Sequence, residues 1–140
     1  MSAATLCLVN QQRAAAALAP LVDNAALDVA AESHSIDMVA NDYFDHVTST
    51  GVDVLHQVLD VAFAAVSDVV DVAQNIAAGA AGDATPAATV ADWMSSPPHR
   101  ANILDPGLRE SGVGVVPALP AVLGISGPGA TYTQTFATSG

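Results

Sequence analysis

The chain has 140 residues, the size of a single domain spanning residues 1–140, which can bury roughly two-thirds of its unfolded surface without crosslinks. Hydrophobic residues make up 51% of it, but many are alanine and aromatics are only 4%, so Trp93, Phe44, Phe63, Phe136, Met38 and Met94 are expected to carry much of the packing. The net charge of −11 sets twelve aspartates and two glutamates against Arg13, Arg100 and Arg109; that field repels phosphate backbones and anionic membrane surfaces, so nucleic acid is not an expected partner.

Apolar runs are short and interrupted by aspartate, which argues against a membrane-spanning segment. No basic stretch followed by an apolar one opens the chain, so no export signal is expected in it. Cys7 is the single cysteine; no intramolecular disulfide can form, and the residue is read as a small core hydrophobe.

In chain order, the first helix is predicted from Ser2, a possible cap, to Ala17, with Leu6, Val9, Asn10, Arg13 and Ala17 on one face. Asn10 and Arg13 on that face read as a structural clamp, because polar groups facing a core must be satisfied there. A second helix is predicted from Asn24 to Ala40. Leu27, Ala31, His34 and Met38 form its apolar stripe, with Asp28, Glu32 and Ser35 opposite. A shorter helix follows Gly51.

Thr85 then caps a helix with Pro86 in its first turn and Val90, Trp93 and Met94 facing inward. Ser96-Pro97-Pro98 ends it and starts a short turn of helix carrying His99 and Arg100. Two strands are predicted last, Ser111–Val116 and Ala130–Thr138, joined by a loop rich in proline and glycine from Ala118 to Gly129. Helices first and strands last favour an α+β fold with helices on a mostly antiparallel sheet.

Of the four histidines, His34 reads as a hydrogen-bonded core or boundary residue and His56 as a surface or boundary one. His46 and His99 instead sit at corners between elements, where functional groups are displayed. A metal site would need the two to converge, with carboxylate oxygen or water completing the shell. No Gly-x-Ser-x-Gly elbow and no phosphate-binding glycine loop is present.

Five phrases, in order, resemble one family. The stretch from Leu6 to His46, then "QNIAAG", "WMSSPPHRANILD", "GVGV" and "YTQTF", is similar to bacterial SCP-like domains of the CAP superfamily, which includes cysteine-rich secretory proteins, antigen 5 and pathogenesis-related 1 proteins. The resemblance covers Leu6 to Phe136. It implies a three-layer α-β-α sandwich around a central antiparallel sheet, a secreted protein, and a cleft that gathers histidines and acidic groups and in some members binds a divalent metal, often zinc.

Carried onto this chain, the resemblance places His46 in that cleft. It sets Gln74 where the family has a glutamate, and Thr131 where the eukaryotic branch has a second histidine, which leaves His99 as the remaining imidazole. Gln74 cannot act as a base or an anionic ligand, although its carbonyl oxygen accepts hydrogen bonds. Three functions follow as expectations: a cleft around His46, His99 and Gln74 that binds a divalent metal or small ligand without turnover; a metal-dependent hydrolase with His46 as base, which the loss of the carboxylate disfavours; and a sterol or fatty-acid binder using an apolar pocket near the 117–129 loop. Arg100 and Asn102 are expected to brace the corner by bonding backbone carbonyls, and the domain is expected to be a monomer.

Overall fold

A computed structural model describes all residues, 1–140. Helix α1 covers Ser2–Ala15, α2 Ala25–Ala40, α3 Val54–Asp60, α4 Pro86–Ser95 and α5 Pro97–Ile103; strand β1 is Val22–Asp23, β2 Val69–Ala80, β3 Glu110–Val116 and β4 Gly129–Ser139. The sheet order is β1-β3-β4-β2, so β2 is an edge strand. β4 pairs antiparallel with both β2 and β3, while the two-residue β1 adds to β3 in parallel.

Sequence chemistry accounts for the helix starts. Asn24 caps α2 by accepting from the amides of Ala26 and Leu27, Asp53 caps α3, and Thr85 caps α4 ahead of Pro86. Ser2, the expected cap, is instead the first residue of α1: Met1 occupies the cap position and no side chain caps the helix.

β4 is buried on both faces, which makes the fold a three-layer sandwich. Tyr132 and Phe136 point to one side and join Val9, Trp93, Ile103 and Leu108 in the larger core, beneath α1, α4 and α5. The odd-numbered residues face α2 and α3: Thr133 Oγ1 lies 2.8 Å from Ser35 Oγ, and Ala137 packs with Leu27 and Val58. Three of the side chains expected to pack, Met38, Trp93 and Phe136, do so fully; Phe44 instead stands 37% exposed on a loop.

The phrase "GVGV" explains how α2 sits so close to the sheet. A Cβ on Gly112 would lie 2.1 Å from the Asp28 nitrogen, and one on Gly114 would lie 2.1 Å from the Glu32 nitrogen. Only glycine lets helix backbone and strand backbone approach to this degree. The same closeness corrects the expected polar face of α2. Ser35 is buried and bonds the Gly114 carbonyl at 3.1 Å, and Asp28 accepts from the Val113 amide at 2.9 Å.

β2 has no counterpart among the predicted strands. Alanines and polar residues erase its alternation, and its pairing with β4 from Val69 to Ala80 is what makes it a strand. Cys7 is exposed rather than in the core, because the buried face of α1 is Thr5, Val9 and Arg13.

Arg13 is the clamp expected of it. Its guanidinium donates to the carbonyls of Ala19, Ile103, Asp105 and Leu108, at 2.8 to 3.3 Å, tying α1 to the segment after α5. Asn10 does the same locally, exchanging two bonds with the backbone of Leu21.

Candidate functional site

β2, as the edge strand, organises the site because side chains project from both its faces beside open solvent. Gln74 pairs in register with Thr135 and therefore faces the α2–α3 layer, whereas Asn75 pairs with Gln134 and faces the other. His46 arrives on the first side from the loop after α2, and His99 on the second from α5. The two sequence-predicted imidazoles are held along the same strand edge, and burial followed by the charge on His46 lowers the pKa of His99.

A chain of amides fixes His46. Gln57, on α3, donates from Nε2 to the carbonyls of His46 (2.8 Å) and Val52 (3.1 Å). Its Oε1 must then accept, and it does so from Gln74 Nε2 at 3.0 Å. That leaves Gln74 Oε1, 3.1 Å from His46 Nδ1, to accept the ring proton. Because carbonyl oxygens only accept, the polarity of the whole relay is set at its start, and His46 carries its proton on Nδ1 with the lone pair on Nε2. Nε2 has no protein partner and is not among the buried unpartnered atoms.

His99 Nδ1 lies 2.8 Å from Ser96 Oγ, and its backbone carbonyl accepts from Asn75 Nδ2 at 3.2 Å. Asn102 in turn donates to Asn75 Oδ1 at 2.9 Å, so Asn75 and Asn102 pin α5 against β2. Asn102 thus braces the corner as expected. Arg100 does not: it is exposed, and its side chain makes no hydrogen bond, because α5 turns it outward to solvent. Gln57 and Asn75 were missed at the level of sequence; both are buried amides, and a buried amide with no apolar periodicity of its own is the only signal either offers.

The remaining histidines fall as read. His56 is exposed beside Asp53, 2.6 Å away. His34 is 2% exposed on α2, where its Nε2 lies 2.7 Å from the Asp45 carbonyl and burial lowers its pKa.

The donors present do not fit a zinc centre. No three of the chain's histidine, cysteine and acidic side chains converge, and Gln74 Oε1 already accepts the His46 proton. Two imidazoles fall one short of the three protein ligands of a catalytic zinc site. With an amide in place of a carboxylate, no charged partner stands behind His46.

No helix of the chain is long and apolar enough to cross a membrane. Residues 6–118 match the model of the cysteine-rich secretory protein family, CAP. The YkwD protein of Bacillus subtilis strain 168 is 32% identical over 129 residues, covering 92% of this chain but 44% of its own length. An extracellular protein containing an SCP domain from Bacillus anthracis superposes with a TM-score of 0.75 at 26% identity, over 97% of this chain and 39% of that one. An outer surface protein from Borrelia burgdorferi shares the fold at a TM-score of 0.78 and 13% identity, covering 96% of this chain and 90% of its own. This chain spans less than half of the two Bacillus relatives. From the family match, the shared sandwich and the order of its motifs, the chain belongs to the cysteine-rich secretory protein (CAP) family as a bacterial SCP-like domain.

Proposed function

We propose that this domain is a secreted binding module whose site, His46 flanked by Gln74 and His99, takes a small ligand without turning it over. The observation that supports this is the amide relay from Gln57 through Gln74, which leaves His46 Nε2 as a solvent-reached acceptor held in one orientation. A ligand with an N–H or O–H donor meets it without reorganisation, the condition under which a single polar contact gives specificity. The extracellular SCP-domain relative supports the secreted setting.

The hydrolase reading has less behind it. A histidine base works best when a carboxylate stabilises the imidazolium it forms, and Gln74 is neutral at every pH. Metal binding has the donor shortfall described above.

The test is a small-molecule screen by NMR on the ¹⁵N-labelled chain. Saturable shifts should cluster at His46, Gln74 and His99, vanish in His46→Ala and survive in His56→Ala; shifts indifferent to His46→Ala would remove the site. Zinc calorimetry separates the alternative: stoichiometric uptake by the native chain, abolished in both His46→Ala and His99→Ala, would replace this reading with a metal centre.

A sterol-binding role is a second reading, supported by a groove of about 690 Å³ between the 41–49 and 117–129 loops, with Phe44, Val47, Val122 and Leu123 in its wall. Asp42 and Asp45 also line it and oppose a fatty-acid carboxylate. Sterol recovered from a lipid mixture by the native chain and lost in Val122→Asp would support it.

A further inference from the structure

We propose that His34 is a pH-sensitive latch: proton uptake by its buried ring opens the loop of residues 41–53 and carries His46 away from Gln74. The loop joins α2 to α3, and none of its residues is buried. Polar ties hold it down instead. His34 Nε2 donates to the Asp45 carbonyl at 2.7 Å, Ser49 donates from N and Oγ to Asp37 at 2.9 and 2.8 Å, and the Tyr43 hydroxyl donates to the same carboxylate. A segment fastened this way, with little apolar burial, is where a fold opens locally.

The Asp45 carbonyl only accepts, so the neutral ring carries its proton on Nε2. A second proton must go to Nδ1. That atom is buried without a hydrogen-bond partner, and the residue is 2% exposed. The cation would keep its bond to Asp45, but its new N–H would have neither acceptor nor water, and the charge itself would be buried; both disfavour it. Relief requires the ring to reach solvent. α2 cannot move to allow this, because Ala31, Ser35 and Met38 fix its inner face against the sheet. The loop can.

Asp37 on α2 and Asp45 in the loop attract a proton to the ring, His46 repels one, and Asp60 of α3 lines the same groove as His34. Tyr43 stands edge-on to the ring at 6.1 Å with its hydroxyl committed to Asp37. The strands under α2 add no charge there: Glu110 is bonded to Asn24 at the start of the helix, and Tyr132 faces the opposite core. Burial outweighs the carboxylates and holds the His34 pKa below its ordinary value.

The closed loop excludes the second proton and the open loop admits it, so acid favours opening. Below about pH 6.5 the opening constant should rise by up to about tenfold per pH unit. Burial raises the Asp37 pKa, but its bonds from Ser49, Tyr43 and Asn41 hold it below the usual carboxylate range, so that hub stays ionised through the same window. Opening dismantles the relay at His46. That a ligand is lost with it rests on the function proposed above; the opening itself does not.

The experiment is amide hydrogen exchange by NMR on the ¹⁵N-labelled full chain, without ligand, from about pH 7 to pH 5 and corrected for intrinsic rates. The amides of Tyr43 and Ser49, bonded to Met38 and Asp37, report the loop. Their protection should lie well below that of Thr133 and Gln134 in β4 and fall by up to about tenfold per pH unit. His34→Gln can still donate to Asp45 but does not titrate, and it should abolish that fall; His99→Gln should leave it in place. The slope is read rather than the level, so a variant that loosens the loop at every pH still decides. Should His34→Gln not fold, the native chain and His99→Gln decide. Protection of Tyr43 and Ser49 that is flat with pH, that falls equally in His34→Gln, that is flattened by His99→Gln, or that matches Thr133 and Gln134 at every pH would each overturn the proposal. A failed ligand screen would not touch it.

Discussion

Replacing Gly114 with alanine tests the central packing argument. The added Cβ would meet the Glu32 nitrogen at 2.1 Å, against an ordinary contact of 3.4 Å, so α2 must withdraw from β3 by about 1.3 Å. The obstacle is helix backbone, which cannot rotate away as a side chain would. Withdrawal takes Ser35 Oγ out of reach of the Gly114 carbonyl and Thr133, now 3.1 and 2.8 Å away. Two lost bonds at about 1 kcal/mol each, added to about 1–3 kcal/mol for overpacking, give a loss of about 3–5 kcal/mol. For a domain of this size that corresponds to a Tm lower by roughly 10–20 °C. Urea unfolding followed by the fluorescence of the buried Trp93 measures it directly. Gly82→Ala is the control: nothing lies within 4 Å of its Cβ, and its stability should stay within about 0.5 kcal/mol of the native chain. A Gly114→Ala chain as stable as Gly82→Ala would refute the reasoning that the two glycines of "GVGV" exist for close backbone approach.

Other substitutions probe the clamp, the relay and the buried imidazole. Arg13→Lys keeps the charge but cannot span four carbonyls, so it should cost about 2–4 kcal/mol in urea unfolding. Gln57→Leu removes the donor to the His46 and Val52 carbonyls and frees Gln74 to turn over; two-dimensional ¹⁵N spectra should then show His46 as a mixture of tautomers rather than the Nδ1–H form alone. His34 and His99 both have folded pKa values below the ordinary histidine value because burial disfavours their charged forms. The unfolded chain therefore takes up these protons first, and stability should fall as pH drops below about 6.5 toward the lower folded values, by at most about 1.4 kcal/mol per pH unit per group. His34→Gln should flatten that slope, and a slope unchanged by it would show that His34 is not the group responsible.

The parts of this fold that could be read along the chain are those specified by near neighbours. Thr85 followed by Pro86, with Val90 and Trp93 a turn apart, defines α4 almost residue for residue, and Asn24 opens α2 as expected. β3 and β4 carried enough β-branched and aromatic residues to be placed within one residue at each end. β2 did not, because it takes its strand geometry from β4 and spends its side chains on the site. Ser35 was placed on the wrong face for a related reason: serine reads as a solvent residue until a glycine strand comes close enough to bond it.

The sequence by itself determined the class of fold, the helix starts, the clamp at Arg13 and the family, because caps, turn residues and ordered motifs act over a few positions. Only the tertiary structure decided what the motifs do together. It set His46 and His99 along one edge strand, assigned the His46 proton through two glutamines seventeen residues apart in the chain, and turned Arg100 away from both. The physical reason is that a hydrogen-bond relay has no periodicity: its members share only a place in space, and that place exists once the sheet has formed.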